Sequence, residues 1–133
     1  MKYLAIDLGL KRIGIAYSAH KDIVTPLPAV IRKNRNQASS EVKEIIKEWS
    51  VDAIVIGIPL GGSSEDEMRR RIEHFMNLVD FDGDVFYQDE AGTSLEAENM
   101  MKGNMKYIRD GRVDSISAQL ILERYLLSIK HKK

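Results

Sequence analysis

The apolar positions change period along the chain, and the changes mark its elements. Tyr3 to Leu8 is a short apolar run, Gly9-Leu10-Lys11 reads as a turn, and Arg12 to Ser18 is a second run. Two extended runs joined through a glycine-containing connection predict a β-hairpin. A third extended stretch, Ile23 to Arg32, carries Pro26 and Pro28. Proline has no N–H to give a ladder, so this strand is expected at a sheet edge. Val42, Ile45, Ile46 and Trp49 then fall at helical spacing and predict an amphipathic helix from Asn36 to Ser50. Asp52 to Ile58 is a continuous apolar run ended by Pro59, which suits a parallel strand covered on both faces. Beyond the loop Gly61-Gly62-Ser63-Ser64, the residues Met68, Ile72, Phe75 and Val79 give one face of a helix. Ser64 with Glu67 has the spacing of a capping box at its start. Asp82-Gly83-Asp84 is a turn, and Val85-Phe86-Tyr87 opens a further strand. Thr93 with Glu96 is a second capping-box candidate, beginning a helix through about Met101. Lys102 to Arg112 is polar and irregular. A last helix is expected from Asp114 to about Ile129, with Ile116, Leu120 and Leu127 among its core positions. The tail Lys130-His131-Lys132-Lys133 reads as frayed.

The order is three strands, helix, strand, helix, strand, then helices. It predicts an α/β fold, a five-stranded mixed sheet flanked by helices on both faces. There is no internal repeat, and 133 residues suit one domain over 1–133. The 20 basic and 20 acidic residues cancel, so the net field names no acidic or nucleic-acid partner. Local basic groups do exist at Lys11-Arg12, at Arg32-Lys33 with Arg35, at Arg69 to Arg71, and in the lysine-rich tail. The absence of cysteine excludes a disulfide framework, a thiolate zinc site and a cysteine nucleophile. No apolar run approaches the ~18 residues of a membrane span. The first apolar run breaks at Asp7, too early for a signal peptide. A soluble cytoplasmic protein is the expectation.

Three acidic positions carry the chemistry. Asp7 follows Leu4-Ala5-Ile6 in the first strand, where a carboxylate is at least partly buried and needs a cation or a proton. Asp89 and Glu90 end the fifth strand, and alternation turns them to opposite faces without saying which one meets Asp7. Asp114 opens the last helix, where its plain role is an N-cap; Ser115 could cap instead and free it. If the first and fifth strands run parallel side by side, Asp7 and one of the Asp89/Glu90 pair converge, and the helix start adds Asp114. Carboxylates gathered this way stay ionised around divalent cations, and oxygen-only ligands select Mg²⁺ or Mn²⁺. Two such ions would clamp the attacking and leaving oxygens of a phosphodiester.

Four motifs resemble those of the YqgF/RuvX family of pre-16S rRNA nucleases, in the family's order and over nearly the whole chain. Ile6-Asp7-Leu8-Gly9-Leu10-Lys11-Arg12-Ile13-Gly14-Ile15-Ala16 is similar to its "DxGxKRIGxA" start, and Val55-Ile56-Gly57-Ile58-Pro59-Leu60 to its "VGLPL" strand. Asp89-Glu90-Ala91-Gly92-Thr93-Ser94-Leu95-Glu96-Ala97-Glu98 is similar to "DERLTTxEAE", and the segment from Val113 to Leu122 to "xDxxAAxxIL". The resemblance implies a ribonuclease H-like fold related to Holliday junction resolvases. It also implies metal-dependent hydrolysis at the 5′ end of precursor 16S rRNA in ribosome biogenesis, with Asp7, Glu90 and Asp114 as the acidic catalytic and metal-binding set. Lys11, Arg12 and Thr93 are the candidate substrate contacts.

The chain departs from the family where "DER" reads Asp89-Glu90-Ala91, which removes a guanidinium suited to phosphate. It departs again after Pro59, where Leu60-Gly61-Gly62-Ser63-Ser64 replaces the usual wording. Arg69 to Arg71 lie just beyond, but three adjacent helical residues point three ways. A Walker loop is excluded, since Gly57 to Ser64 holds no lysine. His20, His74 and His131 form no zinc motif. The remaining rivals are a resolvase acting on branched DNA, for which a homodimer rather than a monomer would make paired cuts, and a non-catalytic RNA-binding assembly factor.

Overall fold

The computed structural model describes residues 1–102 and 111–130. Strands β1 (Tyr3–Leu8), β2 (Arg12–His20) and β3 (Ile23–Ile31) form an antiparallel meander. Helix α1 (Arg35–Glu48) leads to β4 (Ala53–Ile58), and α2 (Glu65–Val79) leads to β5 (Asp84–Asp89). Helices α3 (Thr93–Lys102) and α4 (Arg112–Lys130) complete the fold. The sheet order is β3-β2-β1-β4-β5, with β1, β4 and β5 mutually parallel. The proline-bearing β3 is an edge strand, as its sequence requires. This is the five-stranded mixed sheet expected from the order of elements, and its arrangement is ribonuclease H-like.

The two faces of the sheet are built from different residues. Large aliphatic side chains alternate onto one face: Leu4, Ile6, Leu8, Ile13, Ile15, Ile54, Ile56 and Ile58 pack against Val42 of α1 and Ile72, Phe75 and Val79 of α2. The opposite face carries smaller residues, including Ala5, Ala16, Ala53 and Val55, against Ala118, Ile121, Leu122 and Leu126 of α4. Small residues let α4 approach the sheet backbone. The closest approach is at Gly14, where a Cβ would collide with the backbone carbonyl of Asp114. Beside it the register of β2 on β3 shifts between Ile13 and Ile15, and the Ile15 N–H donates to Ser115 Oγ over 3.3 Å. The start of α4 is thereby fixed to β2.

Several helix ends differ from the sequence expectation. Helix α1 is capped by Asn34, whose side chain accepts from the Gln37 N–H at 2.8 Å while Gln37 Oε1 accepts from the Asn34 N–H at 3.3 Å. Ser64 makes no side-chain cap on α2; Glu65 Oε1 accepts the Gly61 N–H instead, at 2.7 Å. That contact holds the Glu65 carboxyl below its usual range. The Thr93 hydroxyl likewise caps nothing, because it donates backwards to the Glu90 carbonyl at 2.9 Å. Helix α4 begins at Arg112, so Asp114 lies inside the first turn rather than at the cap, and Ser115 is bonded to β2. Leu127, expected in the core, is 58% exposed on the outer side of α4. Of the stretch expected to be irregular, Lys102 and Arg112 belong to helices, while 103–110 lie outside the described residues, as do 131–133.

Gly14→Ala is expected to lower the unfolding free energy by ~1–3 kcal/mol, because its methyl must push the first turn of α4 off β2. Gly62→Ala meets open space and is expected to change it by less than ~0.5 kcal/mol. Urea titration of both variants checks the contrast.

Candidate active site

One row of residues across the carboxyl ends of the strands builds the site. Asp7 is the penultimate residue of β1 and shares its face with Tyr3 and Ala5, toward α4. Gly14 pairs with it on β2. On the other side Ile6 pairs with Ile56, which brings Gly57 of β4 level with Asp7. Gln88 of β5 pairs with Gly57, Asp89 pairs with Ile58, and the Glu90 N–H extends the ladder to the Ile58 carbonyl at 3.1 Å.

Strand β4 thus separates β1 from β5, which corrects the expectation that these two lie side by side. Asp7 and Glu90 meet nonetheless, because the intervening residue has no side chain. A Cβ on Gly57 would stand 2.9 Å from Glu90 Oε2 and would strike Ile121 Cδ1. Glu90 reaches across this gap to hydrogen-bond Asp7. Register also resolves the choice that alternation leaves open. Glu90 continues the face of Phe86, toward α4, whereas Asp89 follows Tyr87 toward α2. Asp89 Oδ1 accepts from the Leu60 N–H at 3.4 Å and the Ala91 N–H at 3.1 Å, bracing the loop.

Burial is the main reason that Asp7 is pushed up to about 8, with the Glu90 charge, the hydrogen bond to Glu90 and the Asp114 charge adding to it. Glu90 is raised too, by burial first and by Asp89. Both carboxyls are raised and they act on one another, so the pair holds its last proton in common rather than on one assigned oxygen.

The other predicted residues fall at different distances from this pair. Asp114 acts on Asp7 electrostatically, but its Oδ2 is 2.8 Å from Arg12 Nε in a half-buried ion pair. Arg12 is therefore engaged with an acid. Lys11 is exposed on the β1–β2 turn, where its carbonyl accepts the Arg32 N–H at 2.9 Å. Thr93 is 1% exposed, and both its N–H and its hydroxyl donate to the Glu90 carbonyl. It fixes the backbone of Glu90.

Two further residues matter that sequence reasoning did not single out. Gly57 supplies the gap, and a glycine inside an apolar strand is a legible sign of close approach. Arg124 of α4 donates from Nη1 to the Ala91 carbonyl at 2.9 Å and pairs through Nη2 with Glu96 at 3.3 Å. A guanidinium from another helix thus reaches the loop where Ala91 stands in place of arginine.

The sheet order and the acids at its carboxyl edge define a ribonuclease H-like protein of nuclease type. A sequence model described as "RuvX: Holliday junction resolvase" matches residues 1–128. The chain belongs to the RuvX family, and with it to the nucleases. A protein of Sulfurimonas denitrificans named "Putative pre-16S rRNA nuclease" is 73% identical over 126 residues, covering 95% of this chain and 97% of its own. One of the same name from Campylobacter lari is 54% identical over 125 residues, covering 94% and 97%. Among solved structures, T. thermophilus RuvC in complex with Holliday junction substrate superposes with a TM-score of 0.60 at 11% identity, over 98% of this chain and 96% of that one. That likeness is one of fold.

Among the described residues no three Asp, Glu, His or Cys side chains are gathered as a ready metal-binding set. The Asp7–Glu90 pair nevertheless fits a divalent cation. Two partly buried carboxyls meet there and resist ionising together, and Gly57 leaves the gap across which they meet. Their shared proton makes a prediction for the metal-free protein. An unfolded Asp titrates near 3.8 and folded Asp7 near 8. Between these values the folded state binds the extra proton, so stability falls as pH rises through the window and stays low above it. Asp7→Asn is expected to flatten that slope and to stabilise the chelator-treated protein by at least ~2 kcal/mol at pH 8, with little change near pH 4. Thermal unfolding across pH measures both; an unchanged slope contradicts the shared proton.

Proposed function

We propose that this chain is a metal-dependent phosphodiester hydrolase that processes the 5′ end of precursor 16S rRNA, acting as a single domain over 1–133 in the cytoplasm. The observation that carries the reading is the meeting of the Asp7 and Glu90 carboxyls across the gap left by Gly57. An acid pair that cannot ionise fully by itself is poised to take up a cation. Family membership supports the reaction class, and the relatives named as pre-16S rRNA nucleases support the choice of substrate. No helix among the described residues is long and apolar enough to cross a membrane, in keeping with that location.

Asp7, Glu90 and Asp114 would hold Mg²⁺ or Mn²⁺, with two ions expected. When bound, such cations activate water and offset negative charge on the phosphate oxygens. To hold a cation the Asp7–Glu90 pair would give up the proton it shares. Asp114, which pairs with Arg12 in the structure, would join them as a ligand, and Arg12 would add positive charge beside the phosphate. Lys11, exposed on the adjoining turn, contacts the nucleic-acid backbone. Thr93 and Arg124 keep the Glu90 loop in place while the charges change.

The test is cleavage of an RNA spanning the 5′ leader and mature 16S sequence, alongside a four-way DNA junction, with Mn²⁺ or Mg²⁺ present and withheld. Wild type is expected to cut the RNA only with the cation, and Asp7→Asn and Glu90→Gln to lose at least ~100-fold in rate. Cutting of the junction alone replaces RNA by branched DNA as substrate. Binding of RNA with no cleavage by either protein turns the reading to a non-catalytic assembly factor.

A further inference from the structure

On the sheet face away from Asp7 the chain builds a second, oppositely charged hollow. Leu8, Arg32, Arg35, Arg71, His74 and Phe75 contribute to its walls, and it encloses about 160 Å³. Its basic groups come from the end of β3, the first turn of α1 and the middle of α2, so packing of separate elements brings them together. Arg32 is held on two sides: Nη1 donates to the Gly9 carbonyl at 2.7 Å, and its guanidinium lies 5.6 Å from the centre of the Phe75 ring. Arg35 Nη1 is 2.8 Å from His74 Nε2. A guanidinium only donates, so His74 accepts at Nε2 and carries its proton on Nδ1. Arg71 donates from Nη1 to Met68 Sδ at 3.2 Å, a weak acceptor. Among the described residues no carboxylate is paired with Arg32, Arg35 or Arg71. Burial and the charges of Arg71 and Arg35 hold Arg32 below the usual guanidinium value. Like charges collected around a concavity without a counter-charge are arranged for an anion.

We propose that this pocket is a phosphate site which grips a backbone phosphate of the nucleic-acid strand whose cleavage takes place at the Asp7–Glu90 pair. The proposal rests on the hydrolase reading above. Leu8, Gly9 and Arg32 tie the pocket to the carboxyl end of β1, next along the chain from Asp7 but on the other face. A strand laid over that end of the sheet meets both sites, and phosphates recur along it. The pocket selects phosphate over base, since Arg32 lies over its phenyl ring, Arg35 holds its imidazole, and its guanidinium groups are donors. It grips a strand without reading its sequence. Arg71 thereby has a role distinct from its neighbours: Arg69 lies over Tyr87 and pairs with Glu65, and Arg70 is exposed.

The experiment is binding of a fluorescent single-stranded oligoribonucleotide in chelator, where no cleavage occurs. Arg35→Gln with Arg71→Gln is compared with wild type and with a charge-matched control, Arg70→Gln with Lys47→Gln. The pocket variant is expected to bind about tenfold or more weakly and to lower the salt slope by about one to two. The control should remain within about threefold of wild type. In wild type, which needs no substitution, the His74 imidazole signals should shift when the oligonucleotide is added. Equal binding by the pocket and control variants, or an unmoved His74, overturns the pocket while leaving the hydrolase reading intact. A His74 signal that answers inorganic phosphate and not the oligonucleotide assigns the pocket to small phosphates and also overturns it. A wild-type protein that binds no oligonucleotide removes the proposal together with the reading beneath it.

Discussion

The carboxyls of Asp7 on β1 and Glu90 just past β5 have β4 between them, and they meet because β4 carries at that level a residue without a side chain. Gly57 is that residue. Its absent Cβ lets Glu90 lean across β4 to Asp7, and burial then forces the pair to hold one proton between them. The supporting structure follows from this contact. Glu90 must be presented from the β5–α3 loop at a fixed height, and Thr93, Asp89 and Arg124 fix it by hydrogen bonds to or within that loop. Asp7 must be shielded, and the small-residue face under α4 shields it.

Helix α4 joins the two ends of the site. Its first turn brings Asp114 against Gly14 and Arg12, and about three turns further on it sends Arg124 to the Ala91 carbonyl. Between them Ile121 packs over Gly57. One helix therefore reaches Gly14, Gly57 and the loop that carries Glu90. The Arg12–Asp114 ion pair keeps 33% and 27% of its two side chains in solvent, so it is weaker than a fully buried pair.

Much of this was legible in the order of residues. Apolar runs and helical spacing located the five strands and helices α1, α2 and α4, because each faces one side or both sides of a covered sheet, while α3 was placed by the Thr93/Glu96 spacing. The prolines of β3 gave its edge position, and the four motifs led to the acids. What periodicity could not carry was lateral order. Nothing local to β1 or β5 says that β4 enters between them, so the meeting of Asp7 with Glu90 was expected for the wrong geometric reason. Caps failed for local reasons: Ser64 already has right-handed helical backbone angles and makes no side-chain cap, and the Thr93 hydroxyl donates back to the Glu90 carbonyl. Arg124 was invisible because its partner lies 33 residues away and is a backbone carbonyl, which any residue supplies. Leu127 followed the helical apolar spacing but lies on the side of α4 away from the sheet.

The two prolines of β3 have an effect beyond marking an edge. Pro26 pairs with Ala16 of β2, and neither Pro26 nor Pro28 has an amide hydrogen to offer outward. A strand approaching from solvent finds a broken row of donors, which discourages templated growth of the sheet into aggregates. A protein that exposes apolar Ile23 and Ile31 at the two ends of that strand gains its protection in the middle, from residues that contribute by what they lack.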